Sequence, residues 1–360
     1  MIDRDGLSCF VFSLYLCRMI IKGQATVVKH TGSHYLLSRL PEWDMFPAVL
    51  RGKIRLKGST ATNPVAVGDV VNFEAEVPEG VAEQELAAYV TPENTAVITS
   101  VEPRRNYIIR KSTNLSRQSH IIAANLDRAF LVITLDFPQV KLPFLDRLLV
   151  TCEVYNVPPV IVLNKCDLYG PEHQSMLEAF REIYEGAGYP IIEVSAHTGQ
   201  GVDHLRDIVS GRMLPDGNVN EDHDPAKPHV SLFAGVSGVG KSSLIQALDP
   251  SLEPKVGEIA DVHLQGKHTT TFYEMYSLTS GGFIVDTPGL RGFGLVDLKK
   301  EEIALYFPEM LKAAQDCRFT PCTHTHEPGC AVKEAVEAGE ISYDRYSSYL
   351  GMLDEEGKYR

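Results

Sequence analysis

Positive charge is scarce in this chain of 360 residues. Its 34 lysines and arginines face 47 aspartates and glutamates, which gives a net charge of −13 at pH 7. That balance excludes a protein that coats nucleic acid with a uniformly basic surface, although it allows a local basic patch. Low-complexity sequence is also lacking, since glycine and proline are ordinary in number. With 44% hydrophobic and 22% charged residues, the composition is that of a globular protein of about two or three domains.

The chain also lacks an apolar run long enough to span a membrane. The best candidate, residues 7–21, is interrupted by Arg18 and is shorter than the roughly 20 residues that a span requires. Net negative charge precedes this run, where a signal peptide carries positive charge. We therefore predict that residues 1–19 are an extension outside the folded core. A targeting or anchoring segment is the alternative, and Met19 is a candidate natural start.

Cysteines are few and do not follow a disulfide pattern. There are seven, an odd number, and three fall in one short stretch near the C-terminus. In a chain of this length that clustering indicates metal binding and a reducing, cytoplasmic location. The stretch supplies three thiolates and an imidazole, a closed tetrahedral set for one structural Zn²⁺. The predicted ligands are Cys317, Cys322, His324 and Cys330. His326 is the alternative imidazole ligand.

Three tyrosines recur at every third residue after this cluster, on a predicted helix. They are Tyr343, Tyr346 and Tyr349. We expect their side chains to pack against the metal-binding loop, and stacking on RNA bases is the alternative.

The first part of the chain predicts short β-strands separated by glycine, proline and asparagine. The predicted strands are 23–29, 34–38, 48–57, 70–75 and 96–101. Five short strands in about 80 residues are typical of a small closed barrel, and we predict an OB-fold for residues 20–105. An acidic loop is expected at 78–93 and a polar, partly basic connector at 102–125.

Basic residues alternate along the third predicted strand. They are Arg51, Lys53, Arg55 and Lys57. Alternation at period two places all four on one face of the strand, where like charges repel unless an anion meets them. We interpret the stripe as a phosphate-binding surface for RNA, which the basic residues of the connector can extend. A solvated strand face is the alternative.

From residue 126 onward, apolar runs alternate with helical patterns, which predicts a parallel sheet covered by helices. The predicted strands are 129–135, 159–163, 191–194, 229–234 and 283–285, and the predicted helices are 144–155, 172–186 and 202–209. We predict a loop or linker at residues 215–228. The chain is expected to be helical from about residue 301, apart from the cysteine cluster.

Residues 235–242 match G-x-x-x-x-G-K-[ST] between a predicted strand and a predicted helix. The glycines of such a P-loop let backbone N–H groups turn toward phosphate oxygens. Lys241 adds a point charge at the β- and γ-phosphates, and Ser242 offers a hydroxyl to Mg²⁺.

Asp286 follows the predicted strand 283–285 and begins a D-x-x-G motif. Its carboxylate can hold the coordination shell of Mg²⁺. The backbone N–H of Gly289 can donate to the γ-phosphate and so act as a switch.

A second motif, N-K-x-D, follows the predicted strand 159–163. Its residues are Asn164, Lys165, Cys166 and Asp167. A carboxylate at Asp167 can accept two hydrogen bonds from the N1–H and the exocyclic amine of guanine. Adenine cannot donate that pair, so the motif selects GTP over ATP. Ser195 and Ala196, after the strand 191–194, fit the loop that supports the base.

The segment 266–271 lies between the P-loop and D-x-x-G. One of its threonines is expected to supply the switch hydroxyl to Mg²⁺, and the start of a strand is the alternative. The candidates are Thr269, Thr270 and Thr271.

Leu290 follows Gly289, where many GTPases carry a water-orienting glutamine, so intrinsic hydrolysis should be slow. His268 is a candidate catalytic helper, and a structural histidine is the alternative.

The order of these motifs differs from that of an ordinary P-loop GTPase. N-K-x-D and S-A precede the P-loop and D-x-x-G, which predicts the usual fold with the chain cut elsewhere, a circular permutation. In that order, NKCD, VSA, GVSGVGKSS, GKHTTT, DTPGL and CRFTPCTHTHEPGC resemble the circularly permuted ribosome-biogenesis GTPases of the YjeQ/RsgA (EngC) type over about residues 20–350.

The resemblance implies three domains. They are an N-terminal OB-fold β-barrel that binds RNA at 20–105, a circularly permuted P-loop GTPase α/β domain at 106–300, and a C-terminal α-helical zinc-binding domain at 301–360. It also implies that Asn164, Lys165 and Asp167 hold the base. The implied phosphate-binding residues are Gly235, Val236, Ser237, Gly238, Val239, Gly240, Lys241, Ser242 and Ser243.

The implied function is late maturation of the small (30S) ribosomal subunit. The protein is expected to be a cytoplasmic monomer that binds rRNA and hydrolyses GTP to GDP and phosphate, slowly alone and faster with the subunit. Its expected cofactors are one structural Zn²⁺ and the Mg²⁺ that accompanies GTP. Two alternatives are an RNA-binding assembly factor whose nucleotide occupancy matters more than turnover, and a GTPase for a different RNA.

Overall fold

The structure, a computed structural model, describes residues 18–32, 34–52, 64–111, 119–252, 273–287 and 298–358. Within these ranges the chain forms an N-terminal barrel, a central sheet flanked by helices, and a C-terminal group of helices. None of the helices in these ranges combines the length and the apolar character that crossing a membrane requires.

The N-terminal barrel is built from five strands. They are β1 (Arg18–Thr31), β2 (His34–Ser38), β3 (Phe46–Leu50), β4 (Val70–Pro78) and β5 (Ala96–Val101). The strands pair in the order β1-β2-β3-β5-β4, and β4 pairs back onto β1, which closes the barrel. Alternate side chains of β4 point into the core, as strand geometry dictates. The predicted five-stranded barrel is confirmed.

Several details of the barrel differ from the prediction. β1 begins at Arg18, inside the predicted extension 1–19, and residues 1–17 lie outside the described residues. The predicted loop 78–93 contains a 3₁₀ helix (Glu83–Glu85) followed by one helical turn, α1 (Leu86–Tyr89), and Leu86 is buried in the barrel core. β3 ends at Leu50, so Arg51 lies beyond the strand.

Arg51, the first residue of the predicted basic stripe, therefore lies outside the strand. Nη2 of Arg51 lies 2.6 Å from a carboxylate oxygen of Glu74 on β4, so this cation already has a carboxylate partner. Lys53, Arg55 and Lys57 lie outside the described residues. Their interpretation as an RNA-binding surface stays a prediction.

Where a connector was expected, residues 107–111 and 119–124 pair as the two antiparallel strands of a β-hairpin, and residues 112–118 lie outside the described residues. Its strands are β6 (Tyr107–Lys111) and β7 (Ser119–Ala124). Nε and Nη2 of Arg104 lie 2.6 and 2.7 Å from the carboxylate of Asp69, which is fully buried. Arg104 consequently fixes the hairpin to the barrel and is not available to extend an RNA-facing surface.

The central sheet carries the nucleotide motifs. Its strands are β8 (Arg128–Ile133), β9 (Pro159–Leu163), β10 (Ile191–Glu193), β11 (Val230–Ala234), β12 (Glu274–Ser277) and β13 (Phe283–Asp286). They lie in the order β10-β9-β8-β11-β13-β12, with all neighbours parallel except the β12–β13 pair. The predicted parallel sheet is confirmed. β12 was not predicted; it joins the sheet to the barrel, where Glu274 pairs with Lys29 of β1.

Four α-helices accompany the sheet, and three α-helices with a 3₁₀ helix before them follow it. The first set is α2 (Leu142–Val154), α3 (Gln174–Gly186), α4 (Val202–Val209) and α5 (Lys241–Leu248). The second set is a 3₁₀ helix at Lys300–Tyr306, α6 (Pro308–Ala313), α7 (Ala331–Glu337) and α8 (Tyr343–Lys358). The predicted C-terminal helical region around the cysteine cluster is confirmed.

A buried arginine fixes the C-terminal helices to the central sheet. Arg345 of α8 donates from Nη1 to Asp146 of α2 at 2.8 Å and from Nε to Glu309 of α6 at 2.8 Å. Its guanidinium carbon lies 4.6 Å from the ring centre of Phe307. Because Arg345 and Asp146 are both almost fully buried, removing one partner would leave an uncompensated charge. The ion pair therefore fixes how the C-terminal region sits on α2.

Candidate nucleotide site and metal centre

The P-loop lies between the central strand β11 and α5, as the sequence predicts. All five residues of β11 are buried, and the chain leaves the strand at Gly235. A Cβ atom at Gly235 would lie 2.2 Å from the carbonyl oxygen of Val132, a distance that no side chain tolerates. Gly238 and Gly240 have φ angles of 88° and 91°, which favour glycine. The loop conformation thus depends on all three glycines.

Lys241 begins α5, and its side chain folds back over the loop. Nζ donates to the carbonyl oxygens of Gly235 at 2.8 Å and Val236 at 3.3 Å. The residue is only 8% exposed. Burial lowers the pKa of Lys241, and the nearby carboxylate of Asp286 opposes that shift. A cation is consequently held at the position where phosphates bind in P-loops.

Asp286 ends β13, beside β11. Burial raises the pKa of this carboxyl group, and Lys241 lowers it. One carboxylate oxygen, Oδ1, is buried and has no hydrogen-bond partner among the described residues. The next residue, Thr287, anchors the turn by donating from Oγ1 to the carbonyl oxygen of Phe233 at 2.7 Å. A buried carboxylate oxygen without a partner is unfavourable unless another group meets it, and a hard cation such as Mg²⁺ suits it.

The N-K-x-D residues lie directly against the P-loop. Asn164 follows β9, donates from Nδ2 to the carbonyl oxygen of Val239 at 2.8 Å and accepts from the N–H of Ala196 at 3.2 Å. Lys165 has a φ of 64° and donates from Nζ to the carbonyl oxygen of Gly238 at 2.8 Å. These contacts bring the base motif, the S-A loop and the phosphate loop into one site.

Asp167 lies at the exposed rim of this site. Its Oδ1 accepts a hydrogen bond of 2.5 Å from Oγ of Ser195, and that hydroxyl oxygen accepts from the N–H of Thr198 at 3.1 Å. The carboxylate is thus oriented by the S-A loop. Cys166 points inward, toward the carbonyl oxygen of Leu163 at 3.2 Å, and burial raises the pKa of its thiol to about 11.

A loop that no sequence motif marks also touches this site. The carbonyl oxygen of Phe137 accepts from Nζ of Lys165 at 2.6 Å, and Pro138 lies beside Gly238. The contact links residues far apart in the chain, and no local pattern signals it. The remaining predicted residues, Gly289, His268, Thr269, Thr270 and Thr271, lie outside the described residues.

The predicted zinc ligands converge. The ligand atoms of Cys317, Cys322, His324 and Cys330 all lie within 4.8 Å of one another. Nδ1 of His324 is 3.4 Å from Sγ of Cys330 and 3.7 Å from Sγ of Cys317. His326 is exposed, and its Nδ1 lies 2.9 Å from the hydroxyl of Thr325. The geometry therefore favours His324 over His326, and three sulfurs with one imidazole suit Zn²⁺.

Two of the three tyrosines hold this loop. Tyr346 donates from its hydroxyl to the carbonyl oxygen of His324 at 2.6 Å, and Tyr349 donates to that of Thr323 at 2.6 Å. The expected packing is confirmed for these two. Tyr343 is 71% exposed and does not share their role.

Comparison with known proteins agrees with the fold and the order of motifs. A family model described as RsgA GTPase matches residues 101–214 and 219–296. The small ribosomal subunit biogenesis GTPase RsgA 2 of Bacteroides thetaiotaomicron is 45% identical over 336 residues, which cover 93% of this chain and 98% of that protein.

Two solved structures are also similar. YjeQ from Thermotoga maritima matches with a TM-score of 0.68 at 30% identity, over 93% of this chain and 98% of that chain. YloQ, described as a circularly permuted GTPase, matches with a TM-score of 0.64 at 26% identity, over 94% of this chain and 96% of that chain. Both matches thus extend over nearly the whole length of this chain.

Proposed function

The chain belongs to the RsgA GTPase family, and we propose that it hydrolyses GTP during maturation of the small ribosomal subunit. The single observation that carries the GTPase assignment is the contact between the base motif and the P-loop. Lys165 bridges the carbonyl oxygens of Phe137 and Gly238, while Ser195 orients the carboxylate of Asp167. The residues proposed to recognise guanine and phosphate therefore lie in direct contact with one another.

Magnesium would be held at the phosphate end of this site. The residues that fit are Asp286, through its unpartnered buried oxygen, and Ser242, at the start of α5. A bound Mg²⁺ neutralises charge on the phosphates. Lys241 provides a fixed second cation, since its ammonium is held by two loop carbonyls. A switch threonine among 269–271, the N–H of Gly289 and a helping His268 complete the proposed catalytic set.

Zinc would be held by the Cys317, Cys322, His324 and Cys330 cluster as a structural ion. Four protein donors leave no open position for a water molecule, so the metal stabilises the loop and takes no part in hydrolysis. We propose that the barrel and this loop contact rRNA, and that the protein acts as a cytoplasmic monomer. The division into domains at 20–105, 106–300 and 301–360 is part of the same proposal.

The subunit is proposed to complete the catalytic site. Leu290 stands where a glutamine would orient water, and an apolar side chain cannot do so by hydrogen bonding. Hydrolysis should therefore be slow in the isolated protein and fast when the subunit supplies or orders the missing group.

Binding to the subunit can be measured by sedimentation. The full-length protein, loaded with a non-hydrolysable GTP analogue, should pellet with purified small subunits and stay in the supernatant with large subunits. Loading with GDP should reduce the pelleted fraction, because the protein is expected to leave after hydrolysis. Equal pelleting with both subunits would contradict the proposed partner and favour a GTPase for another RNA.

A further inference from the structure

The loop that carries the predicted zinc ligands, residues 317–330, which we call the zinc loop, has an aromatic side chain outside the hydrophobic core. Phe319 lies between the ligands Cys317 and Cys322, and it is 44% exposed. It belongs to none of the hydrophobic core clusters formed by the described residues. Its ring therefore adds little to packing, although a large exposed apolar group is unfavourable in water.

A cation covers part of this ring. The guanidinium carbon of Arg318 lies 5.5 Å from the ring centre of Phe319, within the range of a cation–π interaction. Arg318 is itself exposed and appears in none of the ion pairs formed by the described residues. The loop thus combines an exposed aromatic face with an unneutralised positive charge, on a chain whose net charge is −13.

The position of this pair is fixed by its surroundings. The chain on either side enters the metal cluster, and Tyr346 and Tyr349 of α8 hold the following carbonyl groups. α8 is in turn anchored to α2 by the buried Arg345–Asp146 pair. A side chain held in this way loses little conformational entropy on binding.

We propose that Arg318 and Phe319 form a stacking site for one unpaired base of RNA. The inference rests on the proposed function and names a point of contact for it. Unpaired bases of RNA stack on aromatic rings and on guanidinium planes. A neighbouring cation attracts the negatively charged phosphate backbone. Anchor residues of protein interfaces cluster with one another, whereas the neighbours of Phe319 in the chain are the exposed, non-aromatic Arg318 and Thr320.

The test uses full-length, zinc-loaded protein with two probes: purified small subunits and a single-stranded RNA that carries 2-aminopurine. Phe319→Leu keeps an apolar side chain but loses the aromatic face, and it should weaken binding of both probes by about 5- to 150-fold. Phe319→Trp should bind at least as tightly as the wild type. Leu311→Ala changes a side chain of the same exposure, 44%, in the same region and should leave binding unchanged.

Zinc content and subunit-free GTP hydrolysis should be the same in all four proteins, which shows that the loop stays folded. If Phe319→Leu binds both probes as the wild type does, the stacking site is wrong and the proposed function stands. If the variant loses affinity for subunits but not for the RNA strand, the ring contacts a ribosomal protein and the base-stacking proposal is wrong. If the wild type binds neither probe, the proposed function fails together with this inference.

Discussion

Replacing Asp167 with asparagine should transfer the nucleotide preference from GTP to xanthosine triphosphate. The carboxylate offers two acceptors to the N1–H and the amine of guanine, whereas a carboxamide offers one acceptor and one donor. The NH₂ group of the carboxamide would face the exocyclic amine of guanine, and two donors cannot bond to each other. Xanthine has a carbonyl oxygen in place of that amine, and the carboxamide NH₂ can donate to it. Losing one hydrogen bond to a charged group costs about 1.5–3 kcal/mol, so kcat/KM for GTP should fall by at least about 10- to 150-fold.

The variant is expected to stay folded because Asp167 lies at the exposed rim of the site. Asp222→Asn makes the same atomic change in the exposed loop 215–228 and should leave kcat/KM for both nucleotides at the wild-type values. Competition between GTP and xanthosine triphosphate measures the preference directly. An Asp167→Asn protein that still selects GTP would show that the base is recognised elsewhere.

Loss of one zinc ligand should remove the metal and unfold the C-terminal loop. Zinc binding contributes about 10–16 kcal/mol to the folding of small zinc domains, and His324 is buried with its Nδ1 close to two sulfurs. His324→Ala should therefore lower the zinc content from about one ion per chain to near zero. The thermal unfolding temperature of the C-terminal region should fall with it.

His326→Ala is the matched control for that experiment. It removes the other imidazole of the same loop, which is exposed and lies outside the cluster. Metal analysis should find full zinc occupancy in this variant. The opposite result, with zinc lost in His326→Ala and kept in His324→Ala, would overturn the ligand set.

The sequence could predict those parts of the site that depend on local backbone conformation. The P-loop glycines and the residues of N-K-x-D follow buried parallel strands, which appear in the sequence as short continuous apolar runs. The ends of parallel strands meet at one edge of a sheet, so two motifs separated in the chain can be predicted to lie together. The contact of Asn164 with Val239 shows that they do.

Other features depend on contacts between distant residues and leave no local pattern. β12 is a four-residue strand with one buried side chain, and its pairing with β13 and β1 defines it. β6 and β7 are only five and six residues long, and their pairing with each other defines them. Arg345 and Asp146 lie 199 residues apart, so neither side chain by itself signals a buried ion pair.

The most direct test of the account is steady-state GTP hydrolysis with and without purified small ribosomal subunits. The wild-type protein should hydrolyse GTP slowly alone and about 10²-fold or more faster with small subunits, the scale on which one supplied catalytic group acts. ATP in place of GTP, or large subunits in place of small ones, should give no such rise. A rate of GTP hydrolysis that small subunits leave unchanged would contradict the account.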